Sequence, residues 1–156
     1  MEYRYQAVCF DLFGTLVDEG GRAVEGAQAV LNGIAVAKWT IVTSAPRVLA
    51  LSILNHAELP VPSILVTADD VIRSKPDPAC YLRAARMLDI QPERILAIED
   101  SQAGLQSARA AGMDTVVVLM GRPPQSVGES VFYADRLADI ELRRAPGGCV
   151  ILTWSR

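Results

Sequence analysis

The sequence predicts an α/β fold, a parallel sheet with helices on both faces, followed by a C-terminal β-hairpin. Three observations predict it. Short, nearly continuous apolar runs alternate with segments of helical periodicity, the mark of strands buried on both faces. Pro, Ser and Gly stand at the joins, where helices start and stop. The tail "DIELRRAPGGCVILTW", about 139–154, instead alternates around Pro-Gly-Gly, which is the pattern of a hairpin.

The elements follow in chain order. Tyr5 to Asp11 is an apolar run of β-formers and reads as one buried strand. Gly26–Asn32 is a short helix and Lys38–Thr43 a second strand. In "SAP", Ser44 is the expected N-cap and Pro46 sits in the first turn of a helix continuing through "RVLALSILNHA". Ile64–Thr67 is a third strand. Asp77–Leu88 has Pro near its start and apolar residues at helical spacing. Arg94–Glu99 is a fourth strand, Ser101–Ala111 a helix stopped by Gly112, and Asp114–Leu119 a fifth strand.

The 156 residues suggest a single domain, 1–156, without linker or repeat. Hydrophobic residues at 51% and charged residues at 21% exclude a disordered chain. A net charge of -3 offers no general attraction to nucleic acid or anionic membrane, so neither is an expected partner. No apolar run approaches a membrane span, and "MEYRYQAV" lacks the basic-then-apolar order of a signal peptide. Cys9, Cys80 and Cys149 lack metal-site spacing, and the first two sit in apolar contexts as reduced core residues. A soluble, cytoplasmic protein is expected.

In an open α/β sheet, ligands gather at the carboxyl ends of the strands. Asp11, Thr43-Ser44 and Glu99-Asp100 all fall there, and Ser74-Lys75-Pro76 precedes the helix after the third strand. Each has a bland alternative. Asp11 can begin a turn, Asp100 and Ser101 can cap a helix, and Lys75 can be solvated. His56 suits a helix dipole, and Trp39 and Trp154 suit packing. Taken jointly they have one chemistry. Asp11 and Asp100 offer hard oxygens for Mg²⁺, and Glu99 can hold one of its waters. Thr43 can donate to a phosphoryl oxygen, with Ser44 beside it, and Lys75 balances charge. Asp11 can attack phosphorus to form an aspartyl-phosphate.

These residues resemble the haloacid dehalogenase-like hydrolase superfamily. "FDLFGTLVD" looks like its first motif, "IVTS" its second, "SKPDP" its third and "IEDSQAGLQSARAAGM" its fourth. The longer stretches from "KWTIVTSAPRVLALSIL" to "KPDPACYLRAARML", and the terminal hairpin, resemble the sugar-phosphate and glycerol-phosphate phosphatase branch. The resemblance implies a Rossmann-like fold, Mg²⁺ as cofactor and Asp11 as nucleophile. It implies Asp100 as metal ligand, Thr43 as phosphate-binding hydroxyl and Lys75 as the charge-balancing lysine. The backbone carbonyl of Phe13 is an implied further metal ligand.

Two departures shape the expected activity. Phe13 stands where phosphatases of this family have an Asp general acid and base, a function worth about 10²–10⁴-fold in rate. Asp18–Val24 stands where that branch inserts a helical cap, so no cap domain is expected. The two glycines Gly20 and Gly21 make this link a tight turn or flap, in which Arg22 is the nearest added anion contact. The site is then open to a phosphorylated small molecule or a larger phosphorylated substrate, and a second copy of the chain is a candidate cover. A weak Mg²⁺-dependent phosphatase ranks first. The alternatives are a metal-independent 2-haloacid dehalogenase, whose superfamily relatives also carry a non-acidic, often aromatic residue at this position, and a non-catalytic binder of metal, phosphate or a partner.

Overall fold

The first apolar run divides at Gln6. In the computed structural model, which describes residues 1–123 and 131–153, Glu2–Tyr5 is strand β1 and Ala7–Phe10 is strand β2. The two belong to different sheets, which corrects the single strand expected over Tyr5–Asp11. The reason lies in their sides. All four residues of β2 are buried, whereas Glu2 and Arg4 of β1 are exposed, as suits a strand in a two-faced edge sheet. The chain then forms α1 (Ala27–Gly33), β3 (Lys38–Val42), α2 (Arg47–His56), β4 (Leu65–Val66) and α3 (Ala79–Leu88). It continues with β5 (Ile95–Glu99), α4 (Gln102–Ala110), β6 (Asp114–Val118), β7 (Val131–Ala134), β8 (Glu141–Arg144) and β9 (Val150–Thr153).

Six strands make a parallel sheet in the order β4-β3-β2-β5-β6-β7. The register pairs Phe10 with both Ile41 and Ile98, so β3, β2 and β5 end side by side. Strand β7, on the edge, has no counterpart in the sequence reading. The β8–β9 hairpin pairs antiparallel, and β9 also takes β1, giving a separate three-stranded sheet. Trp154, the last residue of the expected hairpin, lies outside the described residues.

Side chains of β2 alternate between two cores. Val8 and Phe10 join Leu31 of α1, Leu54 of α2 and Leu142 and Leu152 of the small sheet. Ala7 and Cys9 join Tyr81 and Ala84 of α3 and Ala108 of α4. Burial on both faces explains why β2 and β5 read as unbroken apolar runs. Phe10 has no exposed surface and packs edge-on to Trp39 at 6.2 Å, so Phe10→Ala is expected to cost about 3–5 kcal/mol. Among the described residues no helix is long and apolar enough to cross a membrane.

One cap differs from expectation. Helix α2 begins at Arg47 with Pro46 as its N-cap, so Ser44 does not cap it. Instead Arg47 ties the helix start to the turn after β4: its backbone N–H donates to Asp69 at 2.7 Å and its guanidinium to Asp70 at 3.0 Å. Ser101 does cap α4, accepting from the Gly104 N–H at 3.1 Å. His56 lies exposed in the last turn of α2.

Residues 11–26 join β2 to α1. The Asp18 N–H donates to Arg22 O at 2.8 Å, the Arg22 N–H donates back to the Asp18 side-chain Oδ1 at 2.9 Å, and Val17 bridges Ala23. Gly21 makes the reversal at φ 76, and a Cβ there would lie 2.8 Å from Ile53 Cδ1. The turn therefore packs onto α2, where only glycine fits both the backbone and the contact. Arg22 is exposed.

Candidate active site

Asp11 is the first residue beyond β2, and its N–H still donates to Ile98 O of β5 at 2.9 Å. Thr43 is likewise the first residue beyond β3, donating to Val66 O at 3.0 Å. Glu99 ends β5 and Asp100 follows it. Adjacent parallel strands thus deliver three acids and one hydroxyl to one edge.

Lys75 reaches this edge from the segment before α3. Its Nζ donates to Asp11 Oδ1 at 2.8 Å, Glu99 Oε1 at 2.5 Å and Val42 O at 2.9 Å. All three ammonium protons are used. The lysine side chain is only 7% exposed and Glu99 is 0% exposed. Burial alone would lower the lysine pKa, but Glu99 and Asp11 overcome it and hold the ammonium above its ordinary range. Thr15 approaches the other oxygen of Asp11 at 3.5 Å.

Asp11, Glu99 and Asp100 each bring a carboxylate oxygen within 4.8 Å of the others. Three acids so close, facing one buried ammonium, cannot all ionise cheaply. Burial pushes Asp100 up to about 6, with the Asp11 charge adding and Arg122 opposing. Burial likewise pushes Glu99 up to about 8, with Asp11 adding and Lys75 opposing. Glu99 Oε2 is buried without a hydrogen-bond partner. A hard divalent cation fits this arrangement, because it supplies positive charge where carboxylate oxygens converge without enough protein cations.

Glycines make the room. A Cβ on Gly14, at φ 85, would lie 2.1 Å from Asp100 Oδ2. One on Gly104, in the first turn of α4, would lie 2.1 Å from the Glu99 carboxyl carbon. The Thr43 hydroxyl accepts from the Ala45 N–H at 3.1 Å, which leaves its proton to donate outward. Ser44 is exposed beside it. Phe13, two residues after Asp11, packs half-buried against the larger core, so a ring without a transferable proton occupies this turn.

The structure therefore brings together Asp11, Lys75, Glu99 and Asp100 in direct contact or close approach, with Thr43 at the end of the neighbouring strand. Two further residues escaped sequence reasoning. The Tyr81 hydroxyl, fully buried, donates to Glu99 Oε1, and its ring lies 5.2 Å from Lys75 Nζ. Arg122 donates from Nη2 to Asp100 O at 2.8 Å. Tyr81 lies in the apolar stripe of α3, and periodicity does not reveal that its hydroxyl meets an acid. Arg122 meets Asp100 across two loops, and no local pattern marks that contact.

Comparison with known proteins bears on this geometry. A model for haloacid dehalogenase-like hydrolases matches residues 19–112, a span that holds Thr43, Lys75, Glu99 and Asp100. Hexitol phosphatase A of Escherichia coli (strain K12) is 35% identical over 136 residues, covering 86% of this chain and 63% of that protein. Validoxylamine A 7'-phosphate phosphatase of Streptomyces hygroscopicus subsp. limoneus is 34% identical over 120 residues, covering 75% of this chain and 56% of that protein. The chain thus spans less than two thirds of the length of either curated relative. The crystal structure of CbbY from Rhodobacter sphaeroides in complex with phosphate shares the fold, at a TM-score of 0.73 and 19% identity over 86% of this chain and 96% of that one.

Proposed function

The chain belongs to the haloacid dehalogenase-like hydrolase family, and from that premise we propose that it is a Mg²⁺-dependent phosphatase of phosphate monoesters that works slowly through an aspartyl-phosphate on Asp11. One observation carries this reading: Lys75 bridges Asp11 and Glu99 beside Asp100, at the carboxyl edge of the sheet. Asp11, Asp100 and the Phe13 carbonyl would hold the ion, with Glu99 behind them. When bound, Mg²⁺ neutralises charge on the phosphoryl oxygens and helps orient them.

The residues of the chain do the rest. Lys75 fixes one oxygen of Asp11, and the carboxylate attacks phosphorus in line with the leaving oxygen. The new carboxylate–phosphorus bond forms as the ester phosphorus–oxygen bond breaks. Thr43 donates its hydroxyl proton to a non-bridging oxygen, Ser44 offers a second hydroxyl, and Lys75 offsets the gathered negative charge. The departing alkoxide takes its proton from water, because Phe13 has none to give. A second water then attacks the aspartyl-phosphate, loses its proton to solvent, releases phosphate and restores Asp11. Without a positioned acid and base the rate is about 10²–10⁴-fold lower, roughly 3–5 kcal/mol of barrier.

The Asp18–Val24 turn lies on α2 and leaves no cap domain between β2 and α1. An uncovered site suits either a small phosphorylated molecule or a larger phosphorylated substrate, and a second copy of the chain is the proposed cover for the former. Hexitol phosphates and other sugar phosphates are the first substrates to try, in view of the relatives' names. The buried free thiols Cys9 and Cys80 agree with a cytoplasmic setting. The three-acid cluster argues against the metal-independent dehalogenase reading.

The test is phosphate release from an aryl phosphate and a sugar-phosphate panel, with and without Mg²⁺. Release that requires Mg²⁺ and vanishes in Asp11→Asn is expected. Release indifferent to Asp11→Asn would overturn the proposal. Halide release from 2-haloacids without metal would favour the dehalogenase, and Mg²⁺ binding without turnover the non-catalytic binder.

A further inference from the structure

We propose that Arg122 is the positioning residue for Asp100, a clamp that holds the turn after β5 so that its carboxylate faces Asp11. The assignment rests on the Mg²⁺ site proposed above.

Asp100 follows the last residue of β5 and precedes the cap of α4, so sheet pairing does not itself fix it. Gly14 provides clearance beside the carboxylate. The hydrogen bond the carboxylate shares with Asp11 joins two proposed metal ligands and does not fix the turn. Arg122 supplies the hold. Its Nη2 donates to the Asp100 carbonyl at 2.8 Å, and the same nitrogen stands 3.6 Å from Asp100 Oδ2. Backbone and side chain of one residue are thus gripped from one guanidinium.

The guanidinium is itself aimed. Leu119 and Met120 donate to Ala134 and Asp135, which fastens the end of β6 to the end of β7. Met120 and Gly121 then take positive φ values of 52 and 79, turning the chain back. Both the backbone N–H and the Nε–H of Arg122 donate to Leu119 O at 3.0 Å. One planar fork therefore spans from Leu119 O to Asp100 O, a geometry a lysine lacks. The arginine side chain is 56% exposed, so its ion pair contributes little to global stability.

Charge and position predict opposite signs here. A cation beside a metal-binding acid repels Mg²⁺, so an Arg122 acting only by its charge would weaken binding, and its removal would tighten it. A clamp strengthens binding by holding the ligand in place, and its removal loosens it.

The experiment is calorimetric titration of the full chain with Mg²⁺, for the parent, Arg122→Ala and Arg122→Lys, with metal-free melting temperatures alongside. Arg122→Ala should raise the Mg²⁺ Kd about 10-fold, the lower end of the loss seen when a partner of a metal ligand is removed. Arg122→Lys keeps the charge without the fork and should fall between the two. Metal-free melting should not change. An Arg122→Ala Kd equal to or below the parent's would overturn the clamp while leaving the metal site standing. A lowered metal-free melting temperature in Arg122→Ala would mark a structural strut and overturn it as well. A parent that binds no Mg²⁺ would overturn the site reading and the clamp together.

Discussion

Lys75, Glu99 and Tyr81 lie inside the molecule, whereas Asp100, Arg122 and Phe13 stand nearer its rim, and different forces hold the two halves. Glu99 and Tyr81 have no exposed surface, and their contacts with Lys75 are made away from water. There a misplaced charge has no solvent to retreat to. At the rim, Asp100 retains some exposure and Arg122 more than half of its own. The inner half is thus costly to alter and carries fold and chemistry together. The rim can change while the fold persists, and Phe13, one of the departures from the family pattern, is only half-buried.

Substitutions can break this contrast, and the inner half should give the largest effects. Lys75→Met leaves Asp11 and Glu99 close together with no buried cation. A stability loss of about 3–5 kcal/mol is expected in urea denaturation, together with loss of turnover. A loss below about 1 kcal/mol would mean that water reaches the pair.

Tyr81→Phe is a smaller cut. It removes one of two donors to Glu99 Oε1 in a carboxylate whose other oxygen already lacks a partner. The expected cost is about 1–3 kcal/mol by the same measurement.

The smallest effect is the pH response of the metal-free chain. Asp100 is raised to about 6, and Glu99 to about 8. For a raised carboxylate, the folded chain keeps a proton that the unfolded chain has released. Its stabilisation is complete below the ordinary carboxylate range and is lost as pH climbs through the folded value. Metal-free melting should therefore fall between about pH 5 and about pH 8. Mg²⁺ should reverse the slope, since it binds the ionised acids and releases their protons. A metal-free melting temperature that rises through this window would contradict the crowding of Asp11, Glu99 and Asp100.

The parallel sheet and its helices were legible because each strand is a buried apolar run closed by polar residues. The same feature exposed Asp11, Thr43 and Glu99-Asp100, since a polar residue closing such a run falls at the sheet edge. Lys75 was legible through its Ser-Lys-Pro setting before a helix. What was not legible depends on pairing at long range. Tyr5 and Ala7 read as one strand because only Gln6 separates them, yet Tyr5 pairs with Val150 and Ala7 with Lys38 and Ile95. Strand β7 is four residues without a helical pattern close before it. Ser44 looked like a cap, but Asp69 and Asp70 took over the start of α2 from 22 and 23 residues away.

Phe13→Asp tests the central claim most directly, that the inner half is complete and that turnover is limited by the missing acid and base. Steady-state phosphate release should rise by about 10²-fold or more in this variant, with the Mg²⁺ Kd unchanged, and the gain should disappear when Asp11→Asn is added. A folded, Mg²⁺-binding Phe13→Asp chain that releases phosphate no faster than its parent would contradict the account.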